Sequence, residues 1–273
     1  MKNIKLIYCN GCSHSAGGGL ELNRKLTDNK TYVRDYYKTK YGVWWDFQKE
    51  ITYSHRLGKM MECDVVNEAA SGGGSGRVIR MAYQFVQDNF KRKDDIFLIL
   101  ELPSIGRLDL FSKILDDYII VNMQYKSFDY RDDTILQYNA CRDYSIEGDI
   151  EKIGAKNIRM YLENFHTRKT EYIKITREIN TFLTYLKFHN IKFIFTNGEF
   201  NSSIPTELKK NNLINIKMGN TTVSDFHQFA VDTKTTIAEE VDLLSMDLHP
   251  GYFSHMRFAE LLLPYIEQNY DNF

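Results

Sequence analysis

The run "DDIFLILEL" at 94–102 limits what this chain can become more than any other stretch, being apolar through its middle and stopped by Pro103. It has strand length, and a strand apolar on both sides belongs in the middle of a parallel sheet covered by helices on each face. "IKLIYC" (4–9), "CDVVNEA" (63–69) and "IKFIFTNG" (191–198) read as three further strands. Between them lie helical spacings. "WWDFQKEITYSHRLGKMM" (44–61) has Trp45, Ile51, Leu57 and Met61 in loose helical register with Gly58 near its end, and "RVIRMAYQFVQDNFKRK" (77–93) puts Val78, Met81, Ala82, Phe85, Val86 and Phe90 on one face. One long helix is predicted over 156–189 and a last amphipathic one over 252–268, carrying Phe258, Leu261, Leu262 and Ile266. The alternation predicts an α/β fold, a three-layer α/β/α sandwich around a central parallel sheet, with ligands at the carboxyl ends of the strands.

At 273 residues the chain suits one domain over 1–273, with insertions expected at about 20–43 and 104–155. The 35 basic and 36 acidic side chains nearly cancel, so no global basic field points to nucleic acid. No apolar run reaches the roughly 18–20 residues of a membrane span, and the opening residues lack a signal-peptide core. With four cysteines (Cys9, Cys12, Cys63, Cys141) in no framework spacing, the expected setting is reducing and cytoplasmic.

Two strand ends carry glycine-rich turns, "GCSHSAGGG" after the first and "NEAASGGGSG" after the second. A phosphate cradle fits poorly, since neither turn has G-x-x-x-x-G-K-[ST] or a clean G-x-G-x-x-G. Metal or redox use of Cys9 and Cys12 lacks a second ligand pair. A nucleophile on a turn requires a histidine base, an acid to orient it, and amides aimed at an oxyanion. The tail segment "MDLHPGYFSH" supplies Asp247 and His249, with Pro250 restricting the backbone before it.

In these blocks the chain resembles the SGNH, or GDSL-type, hydrolase superfamily. "GCSHSAG" matches the G-D-S-x-[ST]-x-G turn through Gly11, Ser13, Ser15 and Gly17, with Cys12 replacing the family's Asp. "NEAASG" matches the second block through Asn67, Ala69, Ser71 and Gly72. The third block, G-x-N-D, is not matched by "ELPSIGR", and "MDLHP" sets its acid one residue closer than D-x-x-H-P. The resemblance implies a serine esterase acting on small acyl groups, O-acetyl first among them, on a carbohydrate, with Ser13 as nucleophile, His249 as base and Asp247, or else Asp242, as orienter. Gly72 then donates its backbone N–H to the oxyanion, and Arg107 is the candidate for the missing side-chain donor. Asn67 is expected to tie the end of the second strand and border the substrate; His14 is expected toward the substrate entrance. His255 is expected to be a core or rim histidine, and Ser15 to pack or cap. No cofactor, metal, nucleic acid or membrane partner is implied, only a small-molecule or carbohydrate ester. The alternatives are an O-acyltransferase on a glycan, an inactive glycan-binding module of the same fold, and a nucleotide-binding protein.

Overall fold

The computed structural model describes residues 4–16, 51–70, 72–103, 107–113, 116–125, 135–142, 155–196, 212–218, 221–223, 226–236 and 250–273, with isolated positions at 206 and 210. The chain begins with β1 (Leu6–Asn10) and the single turn α1 (Ser13–Ala16), followed by α2 (Tyr53–Met61), β2 (Asp64–Asn67), α3 (Ser75–Asp88) and β3 (Ile96–Glu101). It continues with β4 (Arg107–Ser112), β5 (Asp117–Tyr125), β6 (Ile135–Arg142), α4 (Ala155–Asn164), α5 (Arg168–Phe188) and β7 (Lys192–Thr196). Last come β8 (Ile216–Met218), β9 (Thr221–Val223), α6 (Phe226–Asp232) and α7 (Tyr252–Asn269).

Four strands form a parallel sheet in the order β2-β1-β3-β7. Every residue of β1 and β3 is buried, which is why their sequences are apolar without alternation. The two faces pack separate cores. Leu6 and Tyr8 of β1, Leu98 of β3 and Phe193 of β7 meet Val78 and Val86 of α3 and Ile179 and Leu183 of α5. Ile7, Cys9, Phe97 and Ile99 point the other way, onto Tyr53 and Leu57 of α2, Phe226 of α6 and Phe258 and Leu262 of α7. The chain is therefore an α/β sandwich with a central parallel sheet. None of the described helices is long and apolar enough to cross a membrane.

Two sequence readings change here. The helix expected over 156–189 is two, α4 and α5, because Thr167 caps a new start: its hydroxyl accepts the Thr170 N–H at 3.1 Å. The apolar spacing continues across the break, so periodicity alone hides it. The excursion expected at 104–155 contains an antiparallel sheet in the order β4-β5-β6. One face of it, Leu108, Ile119, Val121 and Met123, packs on Ile158 and Leu162 of α4. The other face carries Arg107 and Asp109, and Asp109 holds Arg80 of α3 at 2.8 Å. The first expected insertion, 20–43, lies outside the described residues.

Gly58 does not end α2, which runs on to Met61 and stops at Glu62 in left-handed conformation (φ 54°). Glycine sits there because α2 lies directly on β2: a β-carbon at 58 would fall 2.2 Å from Val65 Cγ2. We expect Gly58→Ala to destabilise the fold by roughly 1–3 kcal/mol through overpacking, despite alanine's better helix propensity. Urea denaturation of the two proteins measures this directly.

Candidate active site

The carboxyl ends of β1, β2 and β3 lie along one edge of the parallel sheet, and the turns that follow them meet there. Gly11, just after β1, accepts the Ala70 N–H through its carbonyl at 3.2 Å. Gly73 lies so close that a β-carbon on it would stand 3.1 Å from the same carbonyl. The two glycine-rich turns, separate in sequence, are thus one surface. Gly72 has φ +78°, a left-handed conformation that glycine adopts without strain.

The Ser13 turn is pinned from below by a residue that the sequence did not single out. Glu101, the last residue of β3 and buried, accepts the Cys12 N–H at 3.0 Å through Oε2, and its Oε1 accepts the Cys12 thiol at 3.1 Å. His14 Nδ1 stands 3.3 Å from the same Oε1. Gly11 has to be glycine here, since a β-carbon would meet Glu101 Oε2 at 2.4 Å. Burial acts to raise the Glu101 carboxyl, but the His14 hydrogen bond and charge, with the Cys12 thiol and N–H, hold it down at about 2. For His14, burial works to lower the imidazole, and the Cys12 sulfur and Glu101 carboxylate overcome it, raising it to about 11. The two form an ion pair at the base of the turn, its carboxylate buried.

His14, expected toward the substrate entrance, therefore turns inward. Its ring stacks on His227 of α6, with centroids 4.7 Å apart, and a cation beside a buried carboxylate gains more there than in open solvent. Asn67 ties the strand ends as expected: its Nδ2 donates to Ser15 O at 3.0 Å and to Ser54 Oγ at 3.2 Å, and its Oδ1 accepts the Ala69 N–H at 3.0 Å. Its amide thereby braces the turn. Arg107 comes to the glycine turn, but its guanidinium donates to Gly73 O at 3.0 Å.

Behind the turn, the Tyr53 hydroxyl meets Ser15 Oγ at 2.9 Å and Cys9 Sγ at 3.4 Å. Burial is the main reason the Cys9 thiol is pushed up to about 12, as befits a packing cysteine. His255 is a core histidine: its Nδ1 accepts the Tyr53 N–H at 3.0 Å, and burial, with the His14 charge, holds it down at about 3. On the other face of the sheet a polar network backs the turn. Asn10 Oδ1 accepts the Gly11 N–H at 2.8 Å and Arg77 at 3.2 Å, while Arg77 also donates to Glu68 O at 2.7 Å.

Asp242, Asp247 and His249 lie outside the described residues. Their neighbour Pro250 bridges to Thr236, and Gly251 N–H donates to Thr235 O at 2.9 Å, so the chain is fixed where the last block ends. Cys12, His14 and Glu101 offer ligand atoms within 4.8 Å of one another, a set that can bind a soft or borderline cation such as Zn²⁺. Cys9 takes no part in that set, because its thiol faces Tyr53. A cation at the trio would have to displace the proton that the ion pair holds on His14.

No protein-family model matches the chain, and no curated relative matches it. Among solved structures it is similar to the psychrotrophic esterase EstA from Pseudoalteromonas sp., inhibited by monoethylphosphonate, with 12% identity, 97% of each chain covered and a TM-score of 0.42. It is also similar to the acetyl xylan esterase Est2A from the rumen bacterium Butyrivibrio proteoclasticus, with 14% identity, a TM-score of 0.45, and 99% of this chain but 65% of that one covered.

Proposed function

We propose that the chain is an SGNH-type serine esterase that removes small acyl groups, O-acetyl above all, from a carbohydrate. The observation that carries this reading is the meeting of the Ser13 and Gly72 turns at the carboxyl edge of the sheet, linked through Gly11 O and Ala70 N–H. Neither turn needs the other for the sheet to form. Their union is what an acyl-transfer site requires, a nucleophile's turn beside a second turn that can offer backbone donors.

In the proposed reaction His249 takes the Ser13 hydroxyl proton as Oγ bonds to the ester carbonyl carbon. The N–H groups of Ser13 and Gly72 receive the negative oxygen. Asp247, or Asp242, holds the histidine tautomer and stabilises its cation. His249 then returns the proton to the departing sugar oxygen, and water resolves the acyl-enzyme by the same steps in reverse order. A glycan hydroxyl taking the place of that water would make the protein an O-acyltransferase.

The test is intact-mass analysis after treatment with a fluorophosphonate. A single adduct on the wild-type protein, missing from Ser13→Ala and His249→Ala, is the expected result. An unlabelled, folded wild type would overturn the esterase reading in favour of a binding module.

A further inference from the structure

The reading above gives the oxyanion backbone donors from the Ser13 and Gly72 turns and leaves its side-chain donor to be found; Arg107, the first candidate, turns its Nη1 to Gly73 O at 3.0 Å. Arg107 has a register partner across the ladder, Asn122 of β5, and residues opposite each other in an antiparallel pair share a face. Asn122 therefore sits on the face of the antiparallel sheet that lies against the glycine turn. A β-carbon on Gly72 would stand 2.7 Å from Asn122 Nδ2, nearer than from its Cγ or Oδ1, both 3.5 Å away. Among the described residues, the Asn122 side chain has no hydrogen-bond partner. A half-buried amide with its nitrogen toward the left-handed glycine and no internal partner has donors to give to a ligand.

The sheet is held in that position independently of Asn122. Arg107 bonds Gly73 O, its own carbonyl would lie 2.6 Å from a β-carbon on Gly74, and Asp109 grips Arg80 of α3. The amide is thus placed by several contacts that do not involve it, the condition for a preorganised donor.

We propose that Asn122 is a catalytic residue that donates its side-chain N–H to the oxyanion beside the Gly72 N–H, the part first assigned to Arg107; the inference rests on the serine-esterase reading. When Ser13 Oγ bonds to the carbonyl carbon, the carbonyl π electrons move to oxygen, and Asn122 shares a hydrogen with that oxygen without giving up a proton. The same bond relaxes when the carbonyl re-forms and the alkoxide leaves with the proton from His249. Arg107 acts through Gly73 as a positioning residue.

The experiment is hydrolysis of p-nitrophenyl acetate by the full chain and by Asn122→Ala and Asn122→Asp, the second keeping the shape of the side chain while removing its N–H donors. We expect kcat to fall by about 10²–10³ in both, with KM little changed, since an oxyanion donor acts on the transition state. Thermal melts report whether each variant is folded. As a readout that needs no variant, the Asn122 side-chain amide resonances of the wild type are expected to shift when a fluorophosphonate modifies Ser13. Unchanged kcat in a folded variant, or unmoved Asn122 resonances on a modified protein, overturns the assignment and leaves the esterase reading standing. A wild type that neither hydrolyses the ester nor takes the label overturns both.

Discussion

Glu101→Ala is expected to lower the unfolding free energy by roughly 3–5 kcal/mol, the usual consequence of removing one partner of a buried ion pair. The substitution strips the Cys12 N–H of its acceptor, the Cys12 thiol of its partner and His14 of its counter-charge at once. Glu101→Gln keeps one oxygen for the Cys12 N–H and loses the charge, so it should fall between wild type and alanine. Urea denaturation near neutral pH gives the order directly. In both variants the His14 resonance should titrate below its wild-type position, because the Cys12 sulfur then opposes burial without the carboxylate.

The same groups shape how stability depends on pH. His14 is raised from 6.5 to about 11, so its contribution is complete below pH 6.5 and is lost as the pH climbs toward 11. Glu101 is depressed from 4.5 to about 2, so its contribution is complete above pH 4.5 and is lost as the pH falls toward 2. His255, held down at about 3 from 6.5, acts in the sense opposite to His14: its stabilising share is complete above pH 6.5 and is lost toward 3. Stability set by these groups should peak near pH 6.5, and Glu101→Gln should flatten the alkaline limb. An alkaline limb of the same slope in the variant would remove the ion pair from this account.

Ser13→Ala should reduce kcat for p-nitrophenyl acetate by a factor on the order of 10⁶, as loss of a nucleophile does where the rest of the site stays intact. His249→Ala is expected to fall about as far, and the double substitution no further. In the proposed mechanism the two act as a unit: without the base the hydroxyl is not activated, and without the hydroxyl the base has nothing to deprotonate. Additive losses would mean that Ser13 and His249 serve separate steps.

Much of the fold was legible because the sheet is parallel and buried. "IKLIYC", "CDVVNEA", "DDIFLILEL" and "IKFIFTNG" are runs that only such a sheet uses, and all four became its strands, with each end moved by one or two residues. What failed is equally physical. The antiparallel strands β4 to β6 are shorter on uninterrupted apolar runs, since one face of the sheet turns Arg107 and Asn122 to the glycine turn and Asp109 to α3. The Ser13 and Gly72 turns could be read because their glycines are adjacent in sequence. Glu101 could not, because an acid at the end of an apolar run looks like its boundary, and the partners that bury it, Cys12 and His14, belong to another strand's turn. Asn122 gives still less signal, an amide within a strand whose neighbours are Val121 and Met123. One sign was available for Glu101: "IFLILE" alternates between two cores, which sends the acid inward beside Phe97 and Ile99.

The strand order also governs how the protein comes into being. β1 pairs with β2 and β3, and β3 with β7, so each ladder joins segments far apart along the chain. Such long-range pairing makes folding slow relative to a helical protein of similar stability, because the chain must close large loops before the ladder rewards it. Helices such as α5 can gain their backbone bonds early, whereas Cys12 and Glu101, 89 residues apart, meet only once β1 and β3 are side by side. Recovery of a reactive Ser13 on dilution from denaturant should then trail the return of helical ellipticity, and esterase activity would serve as a clock for the last ladder to close.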